Sequence, residues 1–331
     1  MPPSWLDPAL FAAYAQRLEV KRRLAGARRL TRFREYMWFV LVTTLLGAAA
    51  GGGSFGWPLV IVLIANWVAV GFAFMINDVE DAPDDALNPA KQTRNPVSSG
   101  DLTPRTARLL SYAAAALAAL LYASLGWRAM LWGWLCLALA YLYSARHVRL
   151  KTIPVADLVS HAMMLAGLQF LAAFDVFGAP QSWLWTFALV FVMSISLYGQ
   201  LFNELRDLEG DVAAGVTHTA SLLGPRAAHA LMVGCFVVGG IGGVLTVAVA
   251  HLIPAWVVLV MASLAALLCV PPALKVRRDH TTIELQEPFQ KPLEVAGALA
   301  LATWFAGPSA LAALRATDFA NPSVWVSLLF Q

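Results

Sequence analysis

The feature that most constrains this chain is a succession of long apolar blocks nearly free of charge. Crossing ~30 Å of hydrocarbon takes about 20 apolar residues in a helix. Nine blocks meet that template, at 36–55, 57–76, 107–125, 128–145, 154–174, 182–202, 227–250, 252–274 and 293–314. Lipid offers no partner for a free backbone N–H or C=O, so each block is expected to be helical. Composition agrees: 59% of the chain is hydrophobic and 13% charged, against roughly 25% charged in a soluble domain. The sequence thus predicts an all-α integral membrane protein. It divides into a basic amphipathic segment (1–35), a nine-helix transmembrane domain (36–315) and a short tail (316–331).

Lys and Arg set the orientation of such a bundle. With the N-terminus inside, every basic residue of the 23 falls on the cytoplasmic side except Arg128 and Arg315. The span count and the charge bias therefore support each other. The first 35 residues lack the short apolar core and cleavage site of a signal peptide. Pro8 to Glu35 reads as a basic amphipathic helix on an anionic leaflet. A net charge of +3 gives no support to nucleic-acid binding. Cys136, Cys235 and Cys269 sit singly in apolar spans, without disulfide or metal-ligand spacing.

Two acidic clusters stand at the ends of two of these spans. "FMINDVEDAPDDALNP" (74–89) crowds Asp78, Glu80, Asp81, Asp84 and Asp85 together, and "LFNELRDLEGDVAAG" (201–215) does much the same. Asn77, Asp78, Asp81 and Asp85 align with Asn203, Glu204, Asp207 and Asp211 at a constant offset of 126 residues. That offset is four spans, an even number, so both copies keep one orientation and form a parallel four-helix internal repeat. Spans four and eight end instead in basic stretches, "YSARHVRLK" (143–151) and "PPALKVRR" (271–278). Both acid clusters are then cytoplasmic.

Positions i, i+3 and i+7 share a helix face. Asp78, Asp81 and Asp85 could therefore face one point, as could Glu204, Asp207 and Asp211. Pro83 is expected to kink or end the first helix, leaving Asp84 able to replace Asp85, whereas the second copy should stay regular until Gly210. Carboxylates so close repel one another and are costly to desolvate. Hard cations favour such oxygen ligands, and Mg²⁺ takes one or two carboxylates together with water and phosphate oxygens. Two facing clusters make a cradle for Mg²⁺–diphosphate, with Arg94, Arg149, Lys151 and Arg206 neutralising the remaining charge.

At these residues the chain resembles the UbiA superfamily of intramembrane prenyltransferases. The "NDxxDxxxD" stretch runs on into "NPAKQTRNPVSSGDLT" (88–103), similar to the family's Arg-Pro and Ser-Gly continuation. "NELRDLEGDVAAGVTHTASLLG" (203–224) resembles its distal Asp motif, and "YSARHVRLK" its Tyr-Ser…Arg-Leu-Lys stretch. The chain departs from the pattern in three places. Glu204 stands where many members have Asp, Asn95 interrupts the Arg-Pro element, and Arg146-His147 replace common prolines.

The resemblance implies a nine-helix UbiA-like bundle. It also implies a Mg²⁺-dependent transfer of a prenyl group from an allylic polyprenyl diphosphate to a lipophilic acceptor, aromatic or isoprenoid, in lipid biosynthesis. Two Mg²⁺ would bridge the diphosphate, one on Asp78, Asp81 and Asp85, the other on Glu204, Asp207 and Asp211. Arg94, Arg149 and Lys151 would bind the diphosphate, with Lys91 less direct. Asn77 and Asn203 would bind it or cap their helices. Tyr143 and Tyr198 would stabilise the allylic cation through their ring faces, and membrane lipid would surround the whole.

Two competing readings remain at this level. A UbiA-type terpene cyclase would use the same diphosphate site, and a secondary transporter for an anionic ligand would use intramembrane carboxylates. His161 and Gln169 in span five could bind an acceptor or serve as interior polar residues. "GGIGG" (239–243) indicates close helix packing, Trp57, Trp127, Trp183 and Trp256 fit interfacial anchors, and "HTTIELQEPFQ" (280–290) reads as a surface connection.

Overall fold

Several helix starts in this chain fall where a proline or a capping side chain supplies what a first turn lacks. In a computed structural model describing residues 8–178, 180, 182–213, 215–275 and 282–316, every regular element is helical. The N-terminal helix α1 (Pro8–Thr31) is followed by α2 (Phe33–Ala50) and α3 (Trp57–Asp85), the last opening with Pro58 in its first turn. A short α4 (Pro89–Arg94) leads to α5 (Pro104–Ala123), where Thr103 Oγ1 accepts from the Thr106 N–H. Then come α6 (Trp127–Ser144), α7 (Ala156–Ala162) and α8 (Leu168–Phe177), with a π-helical turn, Met163–Gly167, joining the last two. The remaining helices are α9 (Thr186–Ala213), α10 (Thr219–Leu223), α11 (Pro225–Ala248), α12 (Ala255–Ala273) and α13 (Thr282–Ala316).

Six of these stretches are long and apolar enough to cross a membrane: α3, α5, α7–α8, Trp183–Ala213, α11 and α12. Helices α2, α6 and α13, the other three expected spans, do not meet that standard of length and composition. Helix α2 carries Arg34 and Glu35 in its first turn, α6 carries Arg128, and α13 contains Pro288, Pro292 and Pro308.

The most extensive buried apolar cluster among the described residues includes the meeting point of α2, α3 and α8. Leu46, Val62, Phe170 and Ala173 are buried together there. A polar chain threads this apolar core: Tyr122 Oη donates to Asn66 Oδ1 (2.7 Å), and Asn66 Nδ2 donates to Thr44 Oγ1 (2.8 Å). Gln169 Nε2 donates to the Met164 carbonyl (2.8 Å), inside the π-turn. Gln169 is thus a core residue and not part of the cavity wall described below. Gly239, Gly242 and Gly243 pack α11 on α9 as expected, since a Cβ at Gly242 would lie 3.1 Å from the Phe187 carbonyl oxygen.

Local structure corrects several expectations. The N-terminal segment is not one helix to Glu35: it breaks at Arg32, whose backbone is left-handed (φ 46°, ψ 24°), and α2 begins at Phe33. Pro83 does not end α3, because it lies in the last turn and the helix closes two residues later at Asp85. Helix α9 likewise passes Gly210 and runs to Ala213. The polar stretch 280–290 is the beginning of α13 from Thr282 onward. Arg277, Arg278 and the tail beyond Ala316 lie outside the described residues.

Candidate active site

Helices α3 and α9 bring the two acidic motifs to one end of a single cavity of about 1490 Å³. Asn77 and Asp81 from α3, Asn203 and Asp207 from α9, Arg94 and Lys151 all line that end. Further in, the walls are apolar: Phe39, Val42 and Leu46 from α2, Phe191 and Ile195 from α9, Val257 and Met261 from α12. A cross-link ties the motifs together, with Lys91 Nζ 3.3 Å from Asp211 Oδ1.

The first motif is saturated with positive partners. Lys151 Nζ contacts both oxygens of Asp81 at 2.5 Å and donates to Asn77 Oδ1 at 2.8 Å. Arg149 reaches Asp84 at 2.7 Å and Asp81 at 3.3 Å, and Arg146 reaches Asp84 at 3.1 Å. The basic stretch can do this because its loop is bent through two left-handed residues, Arg149 (φ 51°) and Val155 (φ 71°). A β-branched residue there is strained, a cost that tight loops at functional sites commonly carry. Burial pushes the Lys151 ammonium below the ordinary lysine value, while neighbouring Asp81 pulls it back up.

Asp78, adjacent to Asn77, is fully buried and turned away from that cluster. Its Oδ1 pairs with Arg32 at the α1–α2 break, and its Oδ2 is buried without a hydrogen-bond partner. The Arg32 guanidinium also lies 5.6 Å over the Phe74 ring. Asn95 Nδ2 donates to the Asp78 carbonyl (2.8 Å) and to Asp85 Oδ2 (2.9 Å). The carboxylates of Asp78, Asp81 and Asp85 therefore have different hydrogen-bonding partners.

The second motif divides the same way. Asp207 lines the cavity and pairs at 3.1 Å with Arg206, which also lines it. Glu204 is buried, accepting from Gln200 Nε2 (2.9 Å) and the Ala220 N–H (3.0 Å), with His218 Nδ1 at 3.2 Å. Asp157 completes this buried group, and its carboxylate is bonded to the Thr219 N–H and hydroxyl. Oxygen and nitrogen atoms of Asp157, Glu204 and His218 lie within 4.8 Å of one another. Asp211 lies between His218 Nε2 (3.6 Å) and Lys91.

Of the aromatic candidates, both tyrosines line the cavity. Tyr143 Oη accepts from Gln200 Nε2 at 3.3 Å, and Tyr198 packs on Phe236 with ring centroids 5.4 Å apart. Sequence reasoning missed the roles of four residues. Arg32 was one of many basic residues in the N-terminal arm, and only its contact with Asp78 distinguishes it. Asn95 looked like an interruption and is the clamp of the first motif. Asp157 and His218 carried no periodic signal, although a carboxylate at the start of a span and a histidine just past an acidic motif are both uncommon enough to mark.

These observations meet known proteins at several points. The UbiA prenyltransferase family model matches residues 37–284. A lycopene elongase/hydratase of Haloarcula japonica is 31% identical over 214 residues, 62% of this chain and 68% of that protein. A digeranylgeranylglyceryl phosphate synthase of Methanopyrus kandleri is 33% identical over 150 residues, 43% of this chain and 49% of that protein. The fold matches a UbiA homolog from Archaeoglobus fulgidus solved with DMAPP and Mg²⁺, at a TM-score of 0.63 and 22% identity over 85% of this chain and 98% of the other. Motifs, helical architecture and family match lead to one conclusion: the chain is a multi-pass integral membrane enzyme of the UbiA prenyltransferase family.

Proposed function

We propose that the cavity holds an allylic prenyl diphosphate head-down on the two motifs and passes its prenyl group to an isoprenoid-lipid acceptor. The observation that carries this reading is the convergence of Asn77, Asp81, Asn203 and Asp207 on the polar end of a cavity whose depth is apolar. A substrate with a multiply charged anionic head and a hydrocarbon tail has that same polarity profile. The named relatives, by their names, elongate or hydrate lycopene and make digeranylgeranylglyceryl phosphate, which favours an isoprenoid acceptor over an aromatic one.

The donor set fits Mg²⁺. It consists of carboxylate and amide oxygens with no thiol, the ligands a hard cation prefers. Asp81 and Asn77 would hold one ion, Asp207 and Asn203 the other. Asp78, Asp85, Glu204 and Asp211, the remaining acids of the motifs, would support them from behind. Bound there, Mg²⁺ supplies charge neutralisation for the departing diphosphate.

The chain's own groups do the rest. Lys151 beside Asp81, and Arg94 at the same polar end, present positive charge that draws the diphosphate oxygens away from C1, and Arg149 reinforces Lys151 from the loop. Tyr143 and Tyr198 place ring faces where the allylic cation forms. The apolar walls exclude water that would quench it. We further propose that α2, α6 and α13 also cross the bilayer, giving nine spans in a parallel repeat with both motifs cytoplasmic. The burial of Val40, Cys136 and Ala300 on those helices and the one-sided basic residues support this.

The test uses purified protein in nanodiscs with Mg²⁺ and dimethylallyl, geranyl, farnesyl or geranylgeranyl diphosphate. Each donor is supplied alone, with lycopene, or with lipid extract from the source cell. Mass spectrometry follows diphosphate and products. A prenylated adduct that needs an acceptor supports transfer, and a cyclised hydrocarbon from donor alone would make the enzyme a cyclase. Absence of Mg²⁺-dependent diphosphate release from every donor overturns the reading.

A further inference from the structure

Carbon–carbon bond formation at C1 leaves the acceptor one proton in excess, and the groups that hold the diphosphate are not placed to remove it. They stand at the polar end, while the new bond forms deeper. On α9, Asn203 and Ser196 are seven residues apart, two turns of one face, which is about 10 Å along the axis. Ser196 thus marks a level below the diphosphate head, at the boundary where the cavity lining turns from polar to apolar.

His161 faces Ser196 across the cavity from α7. Its Nδ1 lies 3.4 Å from Ser196 Oγ, and its ring centroid is 6.3 Å from that of Tyr143. Among the described lining residues it is the one imidazole. It lies in no ion pair, whereas Lys151 at the head is committed to Asp81 and Lys291 at the rim to Glu294. Nε2 is left open to the cavity.

We propose that His161 is the proton acceptor of the transfer reaction, an assignment that rests on the prenyltransferase reading of this cavity. Nδ1–H donates to Ser196 Oγ and fixes the tautomer, so that Nε2 presents its lone pair. As the acceptor's π-electrons bond to C1, the C1–O bond breaks and its electron pair leaves with the diphosphate. The acceptor becomes a carbocation, and the electrons of an adjacent C–H bond close the new double bond. That proton goes to Nε2, and once product and diphosphate have left, the imidazolium yields it to water entering the cavity, which restores the neutral base. A proton next to a carbocation is so acidic that a neutral imidazole suffices. Neutrality is an advantage here, since a second cation would oppose ionisation at C1.

The experiment compares wild type with His161→Ala and His161→Gln in nanodiscs, using dimethylallyl diphosphate with lycopene or with source-cell lipid extract. The readout is the ratio of alkene to alcohol product per diphosphate released. Both variants are expected to lower the ratio at least tenfold, as water captures the cation that is no longer deprotonated. Added imidazole is expected to restore alkene formation in His161→Ala, and thiophene, a ring of similar size without a basic nitrogen, is not. Ser196→Ala should lower the ratio by a smaller factor, because the tautomer is no longer fixed. An unchanged ratio in folded His161→Gln, or equal rescue by thiophene, overturns the assignment. Wild-type protein that releases no diphosphate would instead sink the prenyltransferase reading itself.

Discussion

Asp81 and Asp207 occupy matching places in the two motifs, yet their surroundings are unlike. Asp81 shares its carboxylate between Lys151 and Arg149 and is 16% exposed, whereas Asp207 meets Arg206, its own neighbour in sequence, and is 40% exposed. Three residues earlier in each repeat the contrast takes another form. Asp78 is neutralised by a charge, Arg32, while Glu204 is held by a backbone N–H, an amide and an imidazole. The repeat therefore fixes which residue faces the cavity and which is buried behind it. The neighbours, drawn from unrelated parts of the chain, decide how each charge is balanced.

The largest expected effect tests whether the two cavity-facing acids are equivalent. Asp81→Asn and Asp207→Asn should each slow Mg²⁺-dependent diphosphate release by about 10²–10³-fold, the loss expected on removing one preorganised electrostatic group. If Asp207→Asn left the rate intact, the equivalence would be broken and the first motif alone would carry the head. Stability separates the buried partners next. Arg32→Ala strands a buried carboxylate and should cost about 3–5 kcal/mol in denaturation of the reconstituted protein. Removing the exposed Arg206 should change stability by less than about 1 kcal/mol. A smaller step is Asn95→Ala, which removes two hydrogen bonds and should cost about 1–3 kcal/mol.

The smallest effect is a pH dependence outside the motifs. Arg22 hydrogen-bonds Asp101 and, with Ser99 and Arg29, lowers its pKa from the ordinary value of 3.8. Because the folded value is depressed, the docking of α1 on this loop is fully present above pH 3.8 and fades as pH falls through the lower, folded value. Hydrogen exchange of α1 should stay slow at neutral pH and rise only in that acid window. Asp101→Asn should bring the rise to neutral pH, and fast exchange of wild-type α1 at pH 7 would contradict the contact.

Much of this was legible in the sequence. The apolar blocks marked the positions of the long helices that follow the basic N-terminal segment, because a hydrocarbon solvent leaves the backbone no alternative. The constant offset between the motifs identified Asn77, Asp81, Asn203 and Asp207 together. Helical periodicity alone could not separate Asp81 from Asp78 or Asp85, since all three share a face within the tolerance of a few turns. What separates them is Arg32, from a helix break some 46 positions away, and Asn95, from a loop. Such pairings depend on tertiary approach and on left-handed backbone at Arg32 and Arg149, neither of which a local pattern encodes. Pro83 misled for a related reason: a proline in the final turn of a helix disturbs little that the helix end would not disturb anyway.

Helix α12 has one further consequence. Only 6% of its apolar window is buried, and yet Val257, Val258, Met261 and Ala265 line the cavity. On this side the reaction chamber is separated from bulk lipid by the thickness of one helix. Substrates that live in the bilayer are then supplied in two dimensions, and the concentration that governs occupancy is their mole fraction among lipids, not their molarity in water. Diluting such an enzyme in buffer at fixed lipid composition should leave its saturation unchanged, while adding inert phospholipid should lower it.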